Sequence, residues 1–172
     1  MIENDKIILR APEPDDVDRI YMWENDRPEA VSAPVSRLNV WNYVNNYNAD
    51  VFAMGELRLV IVDRISGEAA GCIDLYDFCP VDMRGGVSVY VAESYRGRGI
   101  ASAALELFES YCRGKIGLHQ LWAHIAEDNR ASRALFAGCG YKPAGRLRSW
   151  IRRGSSYCDV LVVQKLFGAA TV

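Results

Sequence analysis

The chain alternates between short apolar–polar runs of strand type and two-faced runs of helix type, with turn residues between them. Residues 6–11 (Lys-Ile-Ile-Leu-Arg-Ala) form a first strand pattern. Pro14, Asp15 and Asp16 then open a helix that carries Val17, Ile20, Tyr21 and Trp23, the acidic residues suiting its N-terminus. Pro28 and Pro34 break the chain ahead of a second helix over about 36–47. Runs 57–64 and 69–78 flank Ser66-Gly67-Glu68, which predicts a β-hairpin, and 84–91 is the next strand. Ile100, Ala103, Ala104, Leu107, Phe108 and Tyr111 recur at helical spacing, which predicts a helix over about 99–112. A strand over 118–126 follows, then a helix from about 128 that ends by Gly138 and Gly140. A closing hairpin of 145–152 and 157–166 turns at Arg153-Gly154-Ser155-Ser156. The order β-α-α-β-β-β-α-β-α-β-β predicts an α/β fold, a mixed and mostly antiparallel sheet with helices on both faces. No repeat or linker interrupts it, so 1–167 read as one domain and 168–172 as a short tail.

Composition narrows the function. With 172 residues, half of them hydrophobic and a net charge of −2, the chain has the make-up of one globular domain. That charge creates no field for nucleic acid or an anionic membrane, and no apolar run approaches a membrane span. Met1-Ile2-Glu3-Asn4-Asp5 lacks the basic-then-apolar pattern of a signal peptide. The five cysteines (Cys72, Cys79, Cys112, Cys139 and Cys158) are odd in number and scattered, and there are only two histidines. This argues against a zinc site and a disulfide framework, and leads to the expectation of a cytoplasmic protein with reduced thiols and no metal.

Between the strand 84–91 and the helix that follows lies Arg96-Gly97-Arg98-Gly99-Ile100-Ala101. A glycine-rich turn leading into a helix lets bare N–H groups converge at the positive helix terminus, which suits phosphate. Arg96 and Arg98 add positive charge at its rim. The run lacks the Gly-x-x-x-x-Gly-Lys-Ser/Thr of a P-loop and the third glycine of a dinucleotide fold. Its pattern is Arg/Gln-x-x-Gly-x-Gly/Ala, with Arg96, Gly99 and Ala101 in the fixed places.

On these residues the chain resembles the GNAT family of N-acetyltransferases, which hold the pyrophosphate of acetyl-CoA on such a loop. A second segment, Asn129-Arg130-Ala131-Ser132-Arg133-Ala134-Leu135-Phe136-Ala137-Gly138-Cys139-Gly140-Tyr141, is similar to the family's Asn-x-x-Ala/Ser-x-x-Leu/Ile-Tyr-x-x-x-Gly-Phe/Tyr. Here Asn129 caps the helix or bonds the pantetheine arm, Leu135 packs inward and Gly140 supplies the helix-ending conformation. The order of elements resembles the family along nearly the whole chain. Within it, the layout looks most like the branch of spermidine acetyltransferases and ribosomal-protein N-terminal acetyltransferases.

The resemblance implies acetyl transfer from acetyl-CoA to a primary amine by direct attack on the thioester. Arg96, Gly97, Arg98, Gly99, Ile100 and Ala101 would hold the pyrophosphate. The backbone of Val89, Tyr90 and Val91 would pair with the amide-rich pantetheine like an added strand, in a slot opened toward 118–126. A backbone N–H near Val89 or Tyr90 would face the developing oxyanion. Asn129, Ser132 and Phe136 complete the cofactor side. Many relatives place a glutamate at the position of Gly86 and a tyrosine at that of Phe136, and this chain has neither.

Substitutes are sought nearby. Cys72, Asp74 and Tyr76 alternate on one strand face, opposite Gly86, Ser88 and Tyr90. Asp74 would take the amine proton directly or through a water held by Ser88, or is a solvated edge carboxylate. His124, whose ordinary pKa suits a base, shares a face with Trp122 and Ala126, or is a hydrogen-bonded core residue. Tyr141 and Cys139 are further proton donors to the thiolate, although Tyr141 also fits a packing role.

The acceptor is expected at the first two helices and the closing hairpin. Glu24, Asp74 and Tyr76 are the substrate residues, with Asp26, Glu29 and Asp77 as further carboxylates and Arg27, Arg37 and Arg84 diluting them. Trp41, Tyr43 and Tyr47 are core or pocket wall. A polyamine-like small molecule and a protein N-terminus both remain open, and Arg146, Arg148, Arg152 and Arg153 would favour an acidic protein partner. The resemblance also implies homodimers, often formed through the late strands. A catalytically weak acyl-CoA-binding sensor or partner protein is the alternative from a different class.

Overall fold

Strands whose side chains alternate between two apolar faces need cover on both sides, and this sheet has it. The computed structural model describes residues 1–25 and 35–168. Asp26, Arg27, Pro28, Glu29 and Pro34, named above, lie outside the described residues. In chain order the elements are β1 (Ile2–Glu3), β2 (Ile7–Arg10), α1 (Val17–Asn25), α2 (Arg37–Asn45) and α3 (Val51–Met54). They continue with β3 (Leu57–Asp63), β4 (Ala69–Cys79), β5 (Arg84–Val91), α4 (Ile100–Tyr111) and β6 (Gln120–Ala126). Then come α5 (Arg130–Gly138), β7 (Lys142–Arg153) and β8 (Ser156–Leu166).

The strands form one eight-stranded sheet in the order β1-β2-β3-β4-β5-β6-β8-β7. Every neighbouring pair is antiparallel except β5 and β6. Along β3, Leu57, Leu59 and Ile61 join the larger core, where Ile100, Ala104, Leu105 and Phe108 of α4 pack with Phe136 of α5. Val60 and Val62 face the other way, onto Val17, Ile20 and Trp23 of α1 and Val40 and Val44 of α2. The mixed sheet with helices on both faces is thus as predicted.

Two elements extend the predicted order. Strand β1 pairs only Ile2 and Glu3 with Leu9 and Ile8, too short to leave a periodic trace. Helix α3 had a signal: Asp50 caps it, accepting from the N–H of Phe52 (3.0 Å) and Ala53 (3.3 Å), and Gly55 ends it at φ +73°. Tyr21 does not share the buried face of α1 and stands exposed. The helix spacing admitted it, but only Val17, Ile20 and Trp23 turn inward. Trp41 is likewise exposed rather than core.

A part-buried ion pair ties α4 to β8, the strand next to the sheet's edge. Lys165 of β8 donates to Glu109 of α4 and to the carbonyl of Cys139 (2.8 Å). All five cysteines are free thiols. Among the described residues no helix is long and apolar enough to cross a membrane.

Phe108 has no exposed surface and sits at the centre of the larger core. Phe108→Ala should lower the unfolding free energy by about 3–5 kcal/mol in a denaturant titration. A loss below ~1 kcal/mol would contradict this assignment of the core.

Candidate active site

The parallel pairing of β5 with β6 covers only Arg84, Gly85 and Gly86 against Gln120, Leu121 and Trp122. Beyond Gly86 the two strands part. Val87–Val91 keeps its ladder with β4 alone, so one edge of its backbone is left to the opening. A cleft of about 990 Å³ fills the gap, at the upper end of the ~300–1,000 Å³ common for small-molecule sites.

One end of the cleft is the glycine loop. After β5 a short 3₁₀ turn (Glu93–Tyr95) leads to Arg96, and both Gly97 (φ +74°) and Gly99 (φ +73°) are left-handed. An L side chain is strained at such φ, so glycine is what the turn requires. Gly99 is also the N-cap of α4, which directs the free N–H groups of the first turn to the cleft, where Gly97, Gly99, Ile100 and Ala101 line it. Arg96 lines it too, its Nε donating to the Val91 carbonyl (3.0 Å). Arg98 stacks over the Tyr95 ring instead and is the one residue of the loop motif outside the lining. Its carbonyl accepts from Lys6 Nζ (3.3 Å), a strut that sequence inspection did not single out.

Along the sides run Val89, Tyr90 and Val91 of β5 and, opposite, His124 of β6 and Ser132 and Phe136 of α5. The Asn129 side chain accepts from the Ser132 N–H (3.0 Å) as the cap of α5, and Asn129 also lines the cleft. Phe136 packs edge-on to Tyr141 (4.9 Å). Tyr141 is buried beyond it and Cys139 is outside the lining, so neither stands in the cleft.

The far end opens into a second, smaller cavity of about 340 Å³ under α1 and α2. Glu24, Arg58, Asp74, Tyr76 and Ser88 line both cavities and form their junction. At this junction β4 and β5 pair Cys72 with Tyr90, Asp74 with Ser88 and Tyr76 with Gly86, the predicted shared face.

Asp74 is not a solvated edge carboxylate. Arg58, its partner across β3–β4, donates through Nε to Oδ1 (2.6 Å) and through Nη2 to Oδ2 (3.1 Å), and Ser88 Oγ donates to Oδ2 (3.0 Å). Arg58 Nη2 also meets Glu24 Oε1 at 2.8 Å. Burial works against the Arg58 charge, but the Asp74 carboxylate outweighs it and the guanidinium is held well above its ordinary range. Arg58 was missed in the sequence, although an arginine amid Leu57, Leu59, Val60 and Ile61 signals a buried partner. Tyr43, also of the smaller cavity, has its ring 5.7 Å from this guanidinium.

On the β6 side the Trp122 and His124 rings lie against each other, centroids 4.6 Å apart and planes tilted by 56°. Burial lowers the His124 pKa below its ordinary 6.5, against an opposing pull from Asp77, so the imidazole is neutral at pH 7. Gly86 leaves room for Tyr76: a Cβ there would lie 2.4 Å from Cε2 and 2.5 Å from Cζ of that ring. The Gly86 position therefore has no space for a carboxylate side chain while Tyr76 is in place.

The family model for the acetyltransferase (GNAT) domain matches residues 6–142, most of the chain. This chain is a GNAT acetyltransferase domain. The GNAT domain is 24% identical over 101 residues to spermidine N(1)-acetyltransferase of Escherichia coli K12, a match spanning 59% of this chain and 53% of that enzyme. It is 23% identical over 114 residues to the Vibrio cholerae enzyme of the same name, spanning 66% of this chain and 65% of that one. Among solved structures, V. cholerae spermidine N-acetyltransferase in complex with CoA and spermine shares the GNAT domain's fold. Its TM-score is 0.82 at 22% identity, covering 95% of this chain and 96% of that one.

Two substitutions probe the two ends. Gly99→Glu places a strained side chain and a negative charge beside the loop N–H groups. It should abolish CoA binding in calorimetry while the circular dichroism spectrum is kept, and unchanged affinity would refute the loop as a phosphate site. Arg58→Met leaves Asp74 and Glu24 without this cation and should destabilise by about 3–5 kcal/mol in denaturant.

Proposed function

We propose that this GNAT domain transfers an acetyl group from acetyl-CoA to the primary amine of a small cationic acceptor such as a polyamine. The observation that carries this reading is the junction: one cleft starts at a phosphate-type loop and ends where a second, carboxylate-lined cavity begins.

In this reading the first-turn N–H groups of α4 and Arg96 take the pyrophosphate. The cleft-facing edge of Val89, Tyr90 and Val91 takes the pantetheine amides, and Asn129, Ser132 and Phe136 flank it. The acceptor enters through the smaller cavity, where among the described residues Glu24, Glu56 and Asp74 outnumber the cation Arg58. That favours a cation, and a cavity of about 340 Å³ suits a small amine better than a peptide N-terminus. The relatives named for spermidine agree with the choice.

The neutral amine attacks the thioester carbonyl carbon. A C–N bond forms, the C–S bond breaks, the electron pair leaves on the CoA sulfur, and the proton shed by the attacking nitrogen ends on that sulfur. An alkylammonium must first lose its proton, and neutral His124 is the acceptor for it. Asp74, fixed by Arg58 and Ser88, serves as the fixed negative charge that draws the ammonium in.

A second reading has one observation behind it. The junction carboxylate Asp74 is already paired with Arg58, as expected of a protein that binds acyl-CoA without efficient turnover. Thermal-shift titration with acetyl-CoA, followed by thiol release over polyamines, aminoglycosides and N-terminal peptides, separates the two. Stabilisation plus turnover of polyamines is expected. Stabilisation without any turnover would favour the binding protein, and no stabilisation would defeat both. His124→Ala should lower kcat/KM about 100-fold and remove the limb of the pH profile below 6.5, where the wild-type imidazole becomes protonated.

A further inference from the structure

The ladder between β4 and β5 is regular from Gly71 to Tyr76 and then breaks, with pairing resumed only at Cys79 and Arg84. Asp77, the residue after Tyr76, takes φ +48°, an uncommon conformation for a residue other than glycine. Bulges of this kind re-aim a neighbouring side chain and recur beside active sites. Here the neighbour is Tyr76, the last residue of the regular ladder.

Its ring lies across the β5 backbone. Tyr76 is paired with Gly86, and any Cβ at 86 would overlap the ring. On the other side the ring meets Trp122 edge-on, with centroids 5.1 Å apart and planes at 81°. Trp122 is itself the partner of Gly86 in the final parallel pair before β5 and β6 diverge. Three strands thus hold one aromatic ring where the cleft begins, and the ring belongs to both cavities. The acceptor amine and the thioester have to meet at this place.

We propose that Tyr76 orients the acceptor amine, its hydroxyl oxygen accepting one N–H so that the nitrogen lone pair faces the thioester, and that Gly86 is glycine to admit this ring. The inference rests on the acetyl-transfer reading above. The hydroxyl receives no proton in this role. Burial pushes the phenol up to about 12, against the pull of a backbone hydrogen bond at His124 and with Asp77 and Asp74 adding to the rise. A phenol that keeps its hydrogen still has lone pairs for an amine N–H. Proton removal stays with His124, across the opening on β6.

The test uses the intact protein with acetyl-CoA and whichever amine it acetylates best. Tyr76→Phe removes only the hydroxyl, and Gly86→Ala forces the ring aside. Each should lower kcat/KM for the amine about 10- to 100-fold, the effect of one hydrogen bond in a desolvated site. The dissociation constant for CoA and the shape of the pH profile should stay as in the wild type. The double variant should be no worse than Gly86→Ala alone, because both changes remove the same contact. Tyr76→Phe activity close to wild type would overturn the proposal, as would losses that multiply in the double variant. A titration limb lost in Tyr76→Phe would also overturn it, by making the phenol a proton carrier. Gly86→Ala need not fold for the proposal to be judged, since Tyr76→Phe alone decides the hydroxyl. A wild-type protein that turns over no amine would defeat the acetyl-transfer reading and this inference together.

Discussion

Two parallel strands that neighbour each other need a crossover, and β5 and β6 receive theirs from α4. The geometry of the site descends from that requirement. The crossover starts at the end of β5, so the positive end of α4 must stand beside the strand's last residues. Because the pairing stops after three residues on each strand, the backbone just ahead of the helix is left with an open edge. A loop for an anion and an edge for amides thus lie side by side through chain topology alone. Few side chains are committed to them, which leaves the identities at the junction free to differ from those of relatives.

At the junction, side chains take over, and charge governs the arrangement. A carboxylate drawn from water into a half-buried strand face is unfavourable without a partner. Arg58 supplies one to Asp74 and Glu24 at once, joining α1, β3 and β4 around the mouth of the smaller cavity. Among the described residues the lining keeps more carboxylates than cations.

Much of this was legible in the chain. Alternation along β3 to β5 gave the sheet faces, and the face that Cys72, Asp74 and Tyr76 share with Gly86, Ser88 and Tyr90 followed from two alternating runs, while the register of the pairs came from the structure. The glycine loop announced itself through Gly97 and Gly99, whose left-handed backbones only glycine adopts easily. What escaped depends on a third strand or a distant contact. Arg58 reads as one polar residue in an apolar strand until β3 is laid against β4. Gly86 reads as a missing carboxylate until the Tyr76 ring is seen above it. Arg98 reads as a phosphate ligand by position, yet the twist of the loop lays it on Tyr95. Tyr21 shows the limit of periodicity: a helical spacing admits more residues than the buried face holds.

The pair of Lys165 and Glu109 bears on how the molecule behaves as a whole. Helix α4 carries the loop at one end and this part-buried contact near the other, on a strand more than fifty residues further along the chain. Loosening the closing hairpin leaves the buried Glu109 carboxylate without Lys165, so the hairpin and the helix are expected to open together. An anion that steadies the start of α4 is then expected to slow amide exchange in the final strands as well.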